Sequence, residues 1–234
     1  FAADGYARVS GKPGVFVTTT GPGATNAFTA VAEAWSESSP VLHLASLLDK
    51  FLLNTERGVI HELVDQAGTF RNVTRRHETV TRPEAISGVV AETLTAIQSG
   101  RPRPAYLDFP QDTLNATAET GICTPQPPVK DEADPALIDQ AAARLGAAKR
   151  PAILAGTGIH RAGAWDELRQ VAEALQAPVF ETAPGKGAIP GDHPLSIGNV
   201  WTGERRLQAS LADADVLLVV GCRLGGGSTN RWTL

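Results

Sequence analysis

Two segments hold most of the residue types that could do chemistry. In "TTTGPGATN", Thr18 to Asn26, a β-branched run enters a glycine turn and then the start of a helix. Such a turn exposes backbone N–H groups and lets a ligand approach without meeting a Cβ. Pro22 holds its own φ at about −65° and has no donor, so Gly21, Pro22 and Gly23 are expected to form a stiff wall. Asn26, one turn on, can offer both a donor and an acceptor to a heterocycle. A plain strand-to-helix connection would use the same residues, and their types leave both readings open. The second segment, "HELVDQ", sets His61, Glu62, Asp65 and Gln66 close together, either as a solvated loop or as a loop facing a substrate.

Two further turns are weaker. "LAGTGIHRAGA", Leu154 to Ala164, follows a strand with the spacing GxGxxxxG, whereas a dinucleotide fingerprint needs GxGxxG and an acid closing the next strand; Glu181 comes late for that role. "VVGCRLGGG" is a strand end of the kind beside which open α/β sheets bind ligands. Neither HxxxH nor HExxH relates His43, His61, His77, His160 and His193, and Cys123 and Cys222 lie far apart, so no metal site is expected. No GxSxG supports hydrolase chemistry.

The elements that must position these residues alternate. "AADGYARVSG" reads as the end of a helix stopped by Gly11, "VFVTTT" as a strand, and "AFTAVAEAW" as a helix with Phe28, Val31, Ala32 and Trp35 on one face. Strands follow at "PVLHLAS" and "NVTRRHETV", then a helix opened by Pro83, then the strand "RPAYLDFP". A Pro- and Thr-rich stretch precedes a second series: helix from Pro135, strands "RPAILAG", "APVFET" and "DVLLVVG", and helices between them. Apolar strands alternating with helices predict α/β architecture with two doubly wound parallel-sheet domains, at residues 1–115 and 134–234, joined by a linker at 116–133.

With 42% hydrophobic and 20% charged residues among 234, the chain can bury a sizeable core. Its net charge of −4 is dispersed, which argues against nucleic acid or an anionic membrane as partner. No run approaches the about 20 apolar residues of a membrane span, and no secretory signal opens the chain, so a cytoplasmic location is expected. Methionine is absent, so the sequence is expected to be part of a longer polypeptide.

"ADGYAR", "GKPGV", "TTTGPGATN" and "GRPRPAYLDFPQD" occur in the order and spacing of the pyrimidine-binding domain of thiamine diphosphate enzymes of the acetolactate synthase group, which the first half resembles. "RPAILAGTGIHRAGAWDELRQVAEALQAPVFETAPGKGAIPGDHPLSIG" is similar to the same group's central domain. The resemblance implies a Rossmann-like central domain, a third domain outside the sequence, and decarboxylation of a 2-oxo acid, with or without carboligation. It implies thiamine diphosphate and Mg2+ as cofactors, with Gly21, Pro22, Gly23 and Asn26 walling the pyrimidine. The activating glutamate is expected before Phe1 and the metal ligands after Leu234, so no catalytic or metal residue is assigned here. His61, Glu62, Asp65 and Gln66 are expected in the substrate pocket, and a homodimer or homotetramer is implied.

Three departures from the group stand out. "IHELVDQ" replaces a Phe-Gln-Glu type stretch, "GCRLGGGSTNRW" keeps Arg223 but lacks the acids of an FAD motif, and "NVWTG" replaces a Met-His-Gly type element. They leave FAD doubtful and acetolactate formation open. "IHELVDQ" looks more like decarboxylases of guanidino-substituted 2-oxo acids, in which an acid could pair with a cationic tail. A non-catalytic α/β protein is the remaining alternative.

Overall fold

A computed structural model describes residues 1–128, 132–201 and 205–233. The chain forms two compact units, Phe1–Asp131 and Glu132–Leu234.

In the first unit, α1 (Ala2–Ser10) ends on Gly11 at φ 68°, a left-handed cap that costs glycine little. Strand β1 (Gly14–Thr18) leads through the glycine turn into α2 (Pro22–Thr25) and α3 (Phe28–Glu37). Then come β2 (Val41–Leu47), α4 (Gln66–Thr69), β3 (Arg76–Thr79), α5 (Ile86–Gln98), β4 (Ala105–Pro110) and α6 (Gln111–Leu114). All strand pairings are parallel, in the order β1-β2-β4-β3. Side chains alternate between two buried faces, as a covered parallel sheet requires. Ala45 and Tyr106 pack on one face with Ala24, Val31, Ala67 and Phe70. Leu42 and Leu107 pack on the other with Val80, Ile97 and, less deeply, Ile86 and Val89 of α5. Strand β1 lies at the sheet edge, with Val15 and Val17 exposed.

Arg75, just before β3, ties the end of α5 to the sheet. Its guanidinium donates to the carbonyls of Ala96 and Arg101 at 2.6 Å each and of Ser99 at 2.7 Å, satisfying acceptors that a helix end leaves open.

The second unit contains α7 (Pro135–Gly146), β5 (Pro151–Ala155), α8 (Gly158–Ala162), α9 (Trp165–Leu175), β6 (Val179–Glu181), β7 (Ser196–Asn199), α10 (Arg205–Ala212) and β8 (Val216–Val220). Its parallel sheet runs β7-β6-β5-β8. Ile153 and Val179 pack against Ile159, Leu168 and Ala172, while Leu154 and Phe180 face Leu211 and, on α10, Leu207. Strand β7 falls between the strands that the sequence pattern predicts at "APVFET" and "DVLLVVG". It has four residues, a register irregularity opposite Val179/Phe180, and Gly198 at φ 108°, so no period-2 pattern announces it.

Candidate functional site

The carboxyl ends of β1, β2 and β4 meet where parallel sheets usually bind ligands. Gly21 closes the turn after β1 at φ 61°. It is buried, whereas Pro22 and Asn26 are exposed and Gly23 is intermediate. The turn is fixed from beneath. Ser46 Oγ, near the end of β2, accepts from the backbone N–H of Thr20 at 3.1 Å. Gln66 Oε1 accepts from the Gly21 N–H at 2.6 Å and from the Thr20 hydroxyl at 2.9 Å.

Glycine at position 21 has a second reason. An added Cβ would stand 2.5 Å from the His61 carbonyl oxygen, so the backbone of the following loop rests on the turn. His61 takes φ 66°, a conformation uncommon for a residue with a side chain. At Gly23 an added Cβ would meet the Thr19 methyl. The two segments singled out in the sequence therefore lie against each other.

The four loop residues differ in what they do. His61 is exposed. Glu62 turns back on its own loop, its Oε2 accepting from the N–H groups of Gly58 at 2.8 Å and Val59 at 3.0 Å. Asp65 caps α4 by accepting from the Gly68 N–H at 2.7 Å, and lies 4.0 Å from Arg71. Gln66 is 3% exposed, so its amide faces the interior.

That interior is polar. Gln66 Nε2 donates to Ser46 O at 3.0 Å and to the Tyr106 hydroxyl at 2.8 Å, with Asp108 Oδ2 at 3.3 Å. The Tyr106 hydroxyl in turn donates to Asp108 Oδ2 at 3.1 Å. Burial raises the pKa of the Asp108 carboxyl, and burial with the Asp108 charge raises that of Tyr106, which keeps its proton. Beside this cluster His43 is fully buried, stacked on Phe16 at 4.3 Å and set edge-on to Phe70 and Tyr106. Its Nε2 lies 2.8 Å from the Thr18 hydroxyl, and its Nδ1 is buried with no partner among the described residues. Burial lowers its pKa to about 4, so the ring is neutral at pH 7. Sequence reasoning missed Ser46, Tyr106 and Asp108. The available signal was Asp108 itself, an acid inside the apolar strand "AYLDFP", which needs buried partners.

On the opposite face of the sheet an apolar groove of about 550 Å³ runs beside α5, its lining including Val17, Leu44, Ile86, Val90, Phe109 and Leu114. Among the described residues no group of three or more His, Cys, Asp or Glu could hold a metal. No described helix is long and apolar enough to cross a membrane.

In the second unit, the turns after β5 and β8 face each other through glycine. A Cβ on Gly221, itself at φ 61°, would stand 2.7 Å from Gly158 Cα, and one on Gly185 would stand 2.5 Å from Ala155 O. Backbone of neighbouring turns thus fills the space that the GxG motif leaves open. Glu181 is 5% exposed and accepts from the N–H groups of Gly187 at 2.9 Å and Ile189 at 3.3 Å, which supports the following loop. The dinucleotide reading of "GTGIHRAG" loses its two main elements to these contacts.

Comparison with known proteins yields consistent matches. Residues 1–69 match the model described as "Thiamine pyrophosphate enzyme, N-terminal TPP binding domain", and residues 138–233 match "Thiamine pyrophosphate enzyme, central domain". The chain is 35% identical over 228 residues to "Acetolactate synthase isozyme 1 large subunit" of Escherichia coli, covering 95% of this chain and 39% of that protein. It is 35% identical over 234 residues to "Probable 2-ketoarginine decarboxylase AruI" of Pseudomonas aeruginosa, covering 99% and 41%. The chain thus spans about two-fifths of the length of these relatives. A solved structure from Mycobacterium smegmatis superposes with a TM-score of 0.74 at 24% identity, over 93% of this chain and 42% of that one, a likeness of fold.

Proposed function

Since the chain belongs to the thiamine pyrophosphate enzyme family, we propose that residues 1–131 form the pyrimidine side of a site that decarboxylates a 2-oxo acid and can pass the product to a second carbonyl. The observation that carries this is the turn after β1. It is clamped from below by Ser46 and Gln66 and covered at Gly21 by the His61 backbone, while Pro22 and Asn26 face outward.

These residues fit an aminopyrimidine. Pro22 offers a rigid apolar surface, and the Asn26 amide keeps a donor and an acceptor in reserve among the described residues. A pre-set wall of this kind orients a cofactor at small entropic cost. When bound, thiamine diphosphate supplies a nucleophilic carbon that adds to the 2-oxo carbonyl and takes up the electron pair released with CO2. Magnesium and the homodimer or homotetramer expected from the sequence belong to the same proposal. Exposed Phe51, Ile60 and Val64 on the loop above the turn support self-association.

A second reading concerns the substrate. The match of 99% of this chain to 41% of a protein named as a probable 2-ketoarginine decarboxylase favours a 2-oxo acid with a cationic tail. In this chain Asp65 serves a helix cap and lies beside Arg71, while Glu62 holds its own loop through Oε2, which leaves Glu62 Oε1 as the carboxylate oxygen to meet such a tail. In the second unit, filled glycine turns support a site that works without a dinucleotide in that position.

The test is calorimetric titration of thiamine diphosphate with magnesium into the full polypeptide, followed by CO2 release from pyruvate and from 2-ketoarginine. Saturable binding with CO2 release is expected. Absence of cofactor binding would overturn the proposal.

A further inference from the structure

We propose that Gln66 is a positioning residue, which sets the pose of the turn carrying Pro22 and Asn26 and thereby tunes its affinity for thiamine diphosphate; this rests on the function proposed above. The side chain is 3% exposed and cannot itself reach a ligand outside the turn. Its two ends meet opposite kinds of partner. Oε1 receives two donors, the Gly21 N–H at 2.6 Å and the Thr20 hydroxyl at 2.9 Å. Nε2 faces acceptors, Ser46 O at 3.0 Å and the Tyr106 hydroxyl at 2.8 Å, with the Asp108 carboxylate behind them.

Rotating the amide by half a turn would set its N–H groups against the Gly21 N–H and its oxygen against Ser46 O and Asp108. Only one orientation is therefore allowed. Through it the end of β2 and the body of β4 are connected by a single amide to the backbone of the turn after β1. Replacing the amide with an apolar group of similar size leaves the buried Gly21 N–H and the Thr20 hydroxyl without this acceptor, and a buried donor moves to find a new one. Any such movement displaces Pro22 and Asn26, which follow directly in the chain.

The experiment uses the full polypeptide, thiamine diphosphate with magnesium as the probe, calorimetric affinity and the melting temperature as paired readouts. Gln66→Met is expected to weaken cofactor affinity about tenfold or more, in line with the loss of a buried acceptor for two donors. Thr93→Val, which removes the buried hydroxyl bond to Val89 O within α5, is the stability control. It should lower the melting temperature and leave affinity unchanged. Gln66→Glu retains an acceptor toward Gly21 and, once its other oxygen is protonated and donates toward Ser46 O and Asp108, is expected to recover affinity to within about threefold at mildly acid pH, even if its melting temperature falls.

Because Gln66 acts through the turn, Gln66→Met combined with Asn26→Ala should bind no more weakly than the weaker single variant. Wild-type affinity in Gln66→Met, or independent losses that multiply in the double variant, would overturn the inference while leaving the proposed function standing. Failure of the wild-type protein to bind the cofactor would remove both. Should Gln66→Met not fold, Gln66→Asn, one methylene too short for the same reach, takes its place with the same expected loss.

Discussion

The carbonyl oxygen of His61 lies 2.5 Å from the point where a side chain on Gly21 would begin. Gly21→Ala must therefore both hold φ near 61° and push the loop backbone away. Backbone at φ 61° and ψ −119°, outside the left-handed helical well, alone costs a residue with a Cβ about 1–3 kcal/mol. With the steric conflict added, a loss of about 2–4 kcal/mol is expected in chemical denaturation. A loss below about 0.5 kcal/mol, the range of ordinary surface changes, would mean that the loop moves aside freely.

His43 makes stability depend on acid. Its pKa falls from 6.5 in the unfolded chain to about 4 in the folded one because the neutral ring is buried among Phe16, Phe70 and Tyr106. A group with a depressed folded pKa binds its proton first in the unfolded state, so its contribution is complete above pH 6.5 and is lost as pH falls toward 4. The loss approaches about 3 kcal/mol. Asp108 works in the opposite sense. Its raised folded pKa imposes a cost at high pH that is relieved as pH falls through that value. Denaturation across this range should show the wild type losing stability relative to His43→Gln as pH falls from 6.5 to 4, by about 3 kcal/mol. Parallel curves would show that His43 does not titrate as its burial implies.

Gly158 and Gly221 approach backbone to backbone, with a Cβ on Gly221 only 2.7 Å from Gly158 Cα. Gly158→Ala is expected to cost about 1–3 kcal/mol, the range for overpacking. The effect should be confined to the second unit. Hydrogen exchange would show faster opening at β5 and β8, with β2 and β4 protected as before. Equal protection everywhere would mean that the turns have room to part.

On the cationic-substrate reading proposed above, Glu62 sets the substrate class. If it meets a cationic tail, Glu62→Gln should lower kcat/KM for 2-ketoarginine about tenfold relative to pyruvate, the scale of one charge-assisted hydrogen bond. Asp65→Asn should leave that ratio unchanged, because asparagine caps helices nearly as well and the site is already spent on α4. An unchanged ratio in Glu62→Gln would remove the cationic-substrate reading.

Much of the fold was legible because its signals were local. The αL cap at Gly11, the apolar runs of β2, β4, β5 and β8, and the amphipathic α9 follow from residue type and period alone. Short elements escaped: α8 has five residues and β7 four, too few for a period to register. For the candidate site, Gly21, Pro22 and Asn26 could be picked out by the chemistry of their turn. The clamp beneath them could not, because Gln66, Ser46, Tyr106 and Asp108 come from distant parts of the chain and meet only after the sheet has formed. For the same reason Gln66 reads as a pocket residue in sequence, whereas its amide points inward.

The Arg75 clamp on the end of α5 bears on the order in which the first sheet assembles. Strand β3, α5 and β4 are neighbours in the chain, and one guanidinium at the start of β3 fastens the helix between them, so this crossover closes with a short loop. The pairing of Leu42 with Ala105 must instead bring β2 back across the whole intervening segment, Gln66 included. Loop-closure entropy favours the near partners first. The turn at Gly21, anchored through Gln66 on both β2 and β4, can then become rigid only once that distant pairing has closed, so its order is expected to mark the completion of the sheet.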